Sequence, residues 1–197
     1  MNTDRGHDAQ PISHSPRKPV FMGSGFGPAA RPGMTEEKLV KHDIGRPAGL
    51  GNSPMPRALC EAAAAMAAGE VPVGAVLVDA AGAVVAAAGN RVERDHDPTA
   101  HAEMLVLRQA AARLGTARLA DCDLYVTLEP CAMCAAAIAL ARIRRLYFAA
   151  YDPKGGAVEH GPRLFAQPTI HHRPEIYGGI AEAQAADLLR RFFRTRR

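Results

Sequence analysis

His101-Ala102-Glu103 and Pro130-Cys131-Ala132-Met133-Cys134 bring one imidazole, two thiols and one carboxylate together in two short segments. A histidine nitrogen and two thiolates fill three corners of a tetrahedral Zn²⁺ site. Three protein ligands with a fourth position left to water is the pattern of catalytic zinc, whereas structural zinc is closed by four. No second C-x-x-C is present to close this site. A redox dithiol would have no need of the His-Ala-Glu. Zinc lowers the pKa of a bound water from 15.7 to about 7, which provides a nucleophile at neutral pH. Glu103 stands two residues from His101, beside the metal without coordinating it. There it can move protons, help of the kind that contributes about 10² to 10⁴ in rate.

The elements around these residues explain their spacing. Asp97-Pro98-Thr99 reads as an N-cap followed by proline at the first helical position. That predicts a helix over 99–114, stopped by Gly115, with His101 and Glu103 in its opening turns. Leu124–Leu128 reads as a strand and Pro130 opens a helix to Ala141. Cys131 and Cys134 are then i,i+3 neighbours on one helix face. A helix N-terminus lowers thiol pKa, so thiolates are available there.

Further elements are an alanine-rich helix over 56–68 ended by Gly69, and strands 73–79 and 84–88 joined as a hairpin around Gly82. Short strands follow at 145–149 and 174–177, with loop between and one helical turn near Leu164-Phe165. Residues 181–194 form an amphipathic helix, since Ala185, Leu188, Leu189, Phe192 and Phe193 keep the helical period. Strands alternating with helices predict an α/β protein, a three-layer α/β/α sandwich on one mixed sheet of about five strands.

The pair of segments is the H-x-E…P-C-x-x-C pattern of zinc deaminases. From about Pro56 to Arg197 the chain resembles the bacterial tRNA-specific adenosine deaminases of the cytidine and deoxycytidylate deaminase family. The likeness is carried by Glu70 to Val78, Gly89-Asn90-Arg91, His96 to Glu103, Leu124 to Cys134 and Leu188 to Arg197. It implies a cytidine-deaminase-like fold and one Zn²⁺ per subunit on His101, Cys131 and Cys134. It also implies Glu103 as proton shuttle and hydrolysis of adenosine to inosine at the wobble position of a tRNA anticodon. Asn90, Ala102, Asp152 and Lys154 are implied substrate contacts, and the His171-His172-Arg173 stretch resembles an RNA-facing one. A homodimer that holds the anticodon stem-loop follows from the same likeness.

Composition sets the frame. The 197 residues carry a net charge of +4, no tryptophan and four cysteines. Too few cysteines for a disulfide scaffold leave Cys60 and Cys122 reading as buried small hydrophobes in a reducing cytoplasm. No apolar run reaches the ~18 residues of a membrane span. Residues 1–54 hold 15 glycines and prolines with no apolar period. Such a stretch cannot bury enough surface to offset ordering entropy, so it reads as a disordered extension ahead of a 55–197 deaminase domain. It lacks the basic-then-apolar pattern of a secretory signal. Met34 and Met55 offer internal starts.

Residues 190–197 hold five arginines, beside Phe192 and Phe193. Arginine meets phosphate and an aromatic face stacks on bases. This tail, with Arg196 and Arg197 at its end, favours an RNA substrate over the alternative, a deaminase of a free base or nucleoside such as guanine, cytosine or cytidine. A zinc- or RNA-binding protein without catalysis is disfavoured because Glu103 is intact. His96 and His160 carry no signal of their own, and Glu93-Arg94-Asp95 reads as a solvated loop.

Overall fold

The computed structural model describes residues 53–194 and 196. Both the 1–54 extension, but for its last two residues, and Arg197 therefore lie outside the described residues. In chain order the elements are α1 (Met55–Ala67), β1 (Gly74–Val78), β2 (Val84–Gly89), α2 (Val92–Asp95), α3 (Ala102–Leu114), β3 (Asp123–Leu128), α4 (Ala132–Ala141), β4 (Arg145–Ala150), β5 (Glu175–Tyr177) and α5 (Glu182–Arg194). A 3-10 turn at Leu164–Ala166 precedes β5.

Five strands form one mixed sheet in the order β2-β1-β3-β4-β5. The β1–β2 and β1–β3 pairs are antiparallel, and β3–β4 and β4–β5 are parallel. The hairpin closes on Asp79, whose Oδ1 accepts the N–H groups of Ala81 and Ala83, while Gly82 takes φ +82°. Along the central strands successive side chains alternate between faces. Leu77, Leu124, Val126, Leu146 and Phe148 pack with α3 and α4. Val76, Val78 and Ala149 pack with Met55 and Ala58 of α1 and Ala185 of α5. The result is the expected α/β/α sandwich. Each large side chain sealed in it contributes about 1.5–3 kcal/mol.

The alanine-rich α1 has a geometric reason. Gly74 and Gly89 face each other across β1 and β2. A Cβ on Gly74 would sit 2.1 Å from the Ala58 carbonyl oxygen, and one on Gly89 would sit 2.6 Å from that of Glu61. The two glycines let the helix backbone rest on the sheet, and only alanine-sized residues (Ala58, Ala62, Ala65) fit between.

Several expectations need correction. The helix expected from residue 99 starts at Ala102, with His101 as its extended N-cap. Asp97 instead folds its own turn, its Oδ1 accepting the Thr99 N–H at 2.8 Å and the Thr99 hydroxyl at 2.7 Å. The helix expected from Cys131 likewise starts at Ala132, with Cys131 as N-cap. Glu93-Arg94-Asp95 lies in a short helix rather than a loop, because Glu70 accepts backbone N–H groups at its start. Cys60 is exposed, on the outer side of α1, while Cys122 is buried. Of the two phenylalanines in the apolar stripe, at least one of which should dock on the core, Phe192 is buried and Phe193 is 51% exposed.

Candidate active site

The end of β2, the start of β1 and the ends of β3 and β4 lie along one edge of the sheet, as the pairings Gly74↔Gly89 and Leu128↔Ala150 require. The first turns of α3 and α4 meet that edge and deliver the metal-binding side chains. His101 Nδ1 lies 3.5 Å from the Cys134 sulfur and 3.7 Å from that of Cys131. All three ligand atoms fall within 4.8 Å of one another.

The donor set fits zinc. Bonds of about 2.3 Å to sulfur and 2.0–2.1 Å to nitrogen at tetrahedral angles separate N and S by about 3.5 Å. The thiols are also prepared for a cation. A hydrogen bond from the Cys134 thiol, opposed by burial and helped by His101, brings Cys131 down to about 4. Cys134, the donor in that pair and buried, is pushed up. One thiolate is therefore present at neutral pH, and a second proton must leave as metal binds.

Glu103 is 4% exposed, in the first turn of α3. Burial raises its carboxyl, opposed by its own backbone N–H and reinforced by the charge on Cys131. Glu103 lines a cleft of about 300 Å³ together with His101, Cys131, Asn90, Asp152 and Arg196. Asn90 is buried and fixed twice: its N–H donates to the Val73 carbonyl at 2.9 Å and its Nδ2 to Glu70 Oε2 at 3.4 Å. Because Glu70 can only accept, the amide must turn its nitrogen that way, which leaves Asn90 Oδ1 as an acceptor for another partner.

The remaining candidates are placed less uniformly. The methyl of Ala102 is buried in the core cluster, and Ala102 is not among the residues that line the cleft. Asp152 reaches the cleft, but its Oδ1 already accepts the N–H groups of Lys154 and Gly155. Lys154 is exposed and outside the residues that line the cleft. His172 Nε2–H donates to the Ile143 carbonyl, 2.8 Å away, so one member of the 171–173 stretch is tied to the fold. Arg196 does not project freely. Its guanidinium sits 4.1 Å from the Phe192 ring centroid and donates to the Gly69 carbonyl.

Two carboxylates at the site carried no signal beyond the resemblance. Glu70, 1% exposed, anchors both Asn90 and the head of α2. Glu129, 2% exposed, gathers the 152–160 loop, including His160. Burial would raise the Glu129 carboxyl, but hydrogen bonds from His160, Asp152 and Glu159 outweigh it and hold it below the usual range. A glutamate beside Pro130 shows its importance only once the loop returns to it from 23 or more residues away.

The fold and the ligand set together define the class, a cytidine-deaminase-like α/β/α domain with a His-Cys-Cys zinc-binding site. Residues 52–150 match the cytidine and deoxycytidylate deaminase zinc-binding region. The chain is 59% identical over 143 residues to a tRNA-specific adenosine deaminase of Agrobacterium fabrum, covering 73% of this chain and 93% of that one. To the Bacillus subtilis protein of the same name it is 44% identical over 140 residues, 71% of this chain and 86% of that one. A structure solved in studies of A-to-I editing by tRNA:A34 deaminases at the wobble position of transfer RNA superposes with a TM-score of 0.66. It is 59% identical and covers 67% of this chain and 95% of that one. The chain belongs to the tRNA-specific adenosine deaminases of the cytidine and deoxycytidylate deaminase family.

Proposed function

We propose that this chain hydrolyses adenosine to inosine at the wobble position of a tRNA anticodon, using one Zn²⁺ per subunit. The observation that carries the reading is a buried glutamate, Glu103, in the same cleft as a three-ligand zinc set. His101 Nδ1, Cys131 and Cys134 would hold the metal, which when bound supplies an activated water. Glu103 takes a proton from the attacking water and delivers it to the ring nitrogen next to the attacked carbon. It then takes the proton of the hydroxyl added to that carbon and passes it to the departing amine, so that a C=O forms as the C–N bond breaks and ammonia leaves. Burial of Glu103 raises its carboxyl, so it takes up a proton more readily than an exposed glutamate would. The free Oδ1 of Asn90 accepts a hydrogen bond from the nucleoside. Asp152 and Lys154 of the loop, and the backbone of Ala102, are the further substrate contacts in this reading.

The anticodon stem-loop suits this cleft because its single-stranded bases can be splayed out and inserted. Arg196 at the cleft rim and Arg197 after it meet the phosphates. A homodimer is supported by α4, which is apolar all round. Cys134, Ala135, Ile138 and Ala139 face the core, while Leu140 on the opposite side is 64% exposed. Among the described residues no helix is long and apolar enough to cross a membrane. A tRNA substrate places the protein in the cytoplasm.

The test is to incubate the purified protein with total tRNA and, separately, with free adenosine, cytosine and guanine. Inosine in tRNA supports the reading. Ammonia from a free base alone would replace it with the small-molecule alternative.

A further inference from the structure

We infer that Glu129 is a positioning residue for substrate: its buried carboxylate, bonded to His160, sets the 152–160 loop in the form that receives the tRNA. The inference rests on the deaminase reading and adds two residues, Glu129 and His160, that lie outside the zinc ligand set.

Five donors converge on this carboxylate. Oε1 accepts the backbone N–H groups of Val158 at 3.1 Å, Glu159 at 2.8 Å and His160 at 2.9 Å. Oε2 accepts the Asp152 N–H at 3.0 Å and faces His160 Nδ1 at 2.7 Å. The Glu129 side chain is 0% exposed. A buried carboxylate survives only when its lone pairs are filled, and here a single loop fills them. The approach is close enough to demand glycine. A Cβ on Gly156 would stand 2.5 Å from Glu129 Cδ and 2.5 Å from the Asp152 carbonyl oxygen.

All five donors belong to the 152–160 loop and none to a metal ligand. The loop is also tied to the chain that leads into the zinc site, since Gly156 bridges to Cys131 and the Ala157 N–H donates to the Pro130 carbonyl at 2.9 Å. Asp152 and Gly155 are the loop residues that line the cleft. Glu129 is itself among the residues that line the cleft, and its wholly buried carboxylate thus fixes the loop wall relative to the metal ligands.

Glutamine at 129 tests this sharply. Its Oε1 keeps the three donors of residues 158–160. Its NH₂ replaces Oε2 and meets the Asp152 N–H donor to donor. The tautomer of His160 that carries its proton on Nε2 can offer its Nδ1 lone pair to that NH₂, but a backbone N–H cannot. The damage therefore falls at Asp152, the loop residue at the cleft. At His160, alanine removes one of the five donors, while asparagine offers its Nδ2 in place of Nδ1.

The experiment uses the full-length protein and a tRNA whose anticodon begins with adenosine, reading KM, kcat and zinc content. Glu129→Gln should raise KM about tenfold or more, the scale for losing a hydrogen bond to a charged group, with zinc unchanged and kcat within about threefold. His160→Ala should raise KM less, and His160→Asn should restore it. Wild-type KM in Glu129→Gln overturns the inference. So does loss of zinc from a folded Glu129→Gln protein, which would put the residue's role at the metal. If Glu129→Gln does not fold, the His160 pair decides, and equal KM for His160→Ala and wild type overturns it. A wild-type protein that makes no inosine in tRNA removes the deaminase reading itself and the inference with it.

Discussion

His101 and Cys131 occupy the same place in two different helices. Each is the extended residue just before the first turn, at φ −68°, ψ 149° and φ −71°, ψ 174°. Neither side chain caps its own helix. An N-cap side chain ordinarily turns back onto the N–H groups of that turn, whereas these two turn to each other, 3.7 Å apart. Two helix N-termini, each the positive end of a dipole, thus converge where thiolates are needed.

Cys134 adds the third ligand from the first turn of α4, fully buried. Cys131→Ala or Cys134→Ala should lose zinc and activity together and lower the melting temperature, because metal binding is coupled to folding. Elemental analysis with a thermal melt checks this. Full turnover after exhaustive chelation would contradict it.

Glu103→Ala should leave zinc content and tRNA affinity near wild type while turnover drops by about 10² or more, since only proton transfer is removed. Single-turnover kinetics with a binding measurement separates the two. A fall below tenfold would assign the proton to another group.

Gly74→Ala should destabilise the fold by about 1–3 kcal/mol through overpacking alone, because a methyl group replaces no hydrogen-bonding atom. That methyl has backbone of α1 in its way at 2.1 Å and 2.5 Å. Gly82→Ala has nothing within 4 Å of the added atom, so any cost there comes only from the positive φ. Denaturant melts of both variants should rank Gly74→Ala as the more damaging.

Removing Arg196 and Arg197 should flatten the salt dependence of tRNA binding by about 0.7 to 0.9 log units per log unit of salt for each phosphate no longer neutralised. Zinc should be unaffected. Arg196→Ala should also cost some stability, as it loses the stack on Phe192, about 0.5–1 kcal/mol for an exposed pair. Affinities at several salt concentrations measure the slope, and an unchanged slope would take the tail out of the RNA site.

A chain beginning at Met55 should fold and edit tRNA as the full chain does, because the preceding residues have no periodic apolar face to add. Failure to fold, or loss of wobble editing, would show that the extension belongs to the domain.

The amino-acid order by itself pointed to the chemistry and to every main element except α2. His101, Glu103, Cys131 and Cys134 are local motifs whose spacing follows from helix geometry, and strand and helix periods are short-range properties. Tertiary structure decided the rest. Helix starts shifted to Ala102 and Ala132 because Asp97 found a closer partner in Thr99 and because the metal-binding side chains were drawn to each other across the fold. Phe192 rather than Phe193 is buried because α5 meets the sheet at one rotation only, which a stripe containing both cannot specify. Arg196 returns to Gly69, 127 residues away, and Glu129 meets a loop at residues 152–160. Single charged residues gain such roles only from partners distant in the chain, and neither period nor spacing encodes who those partners are.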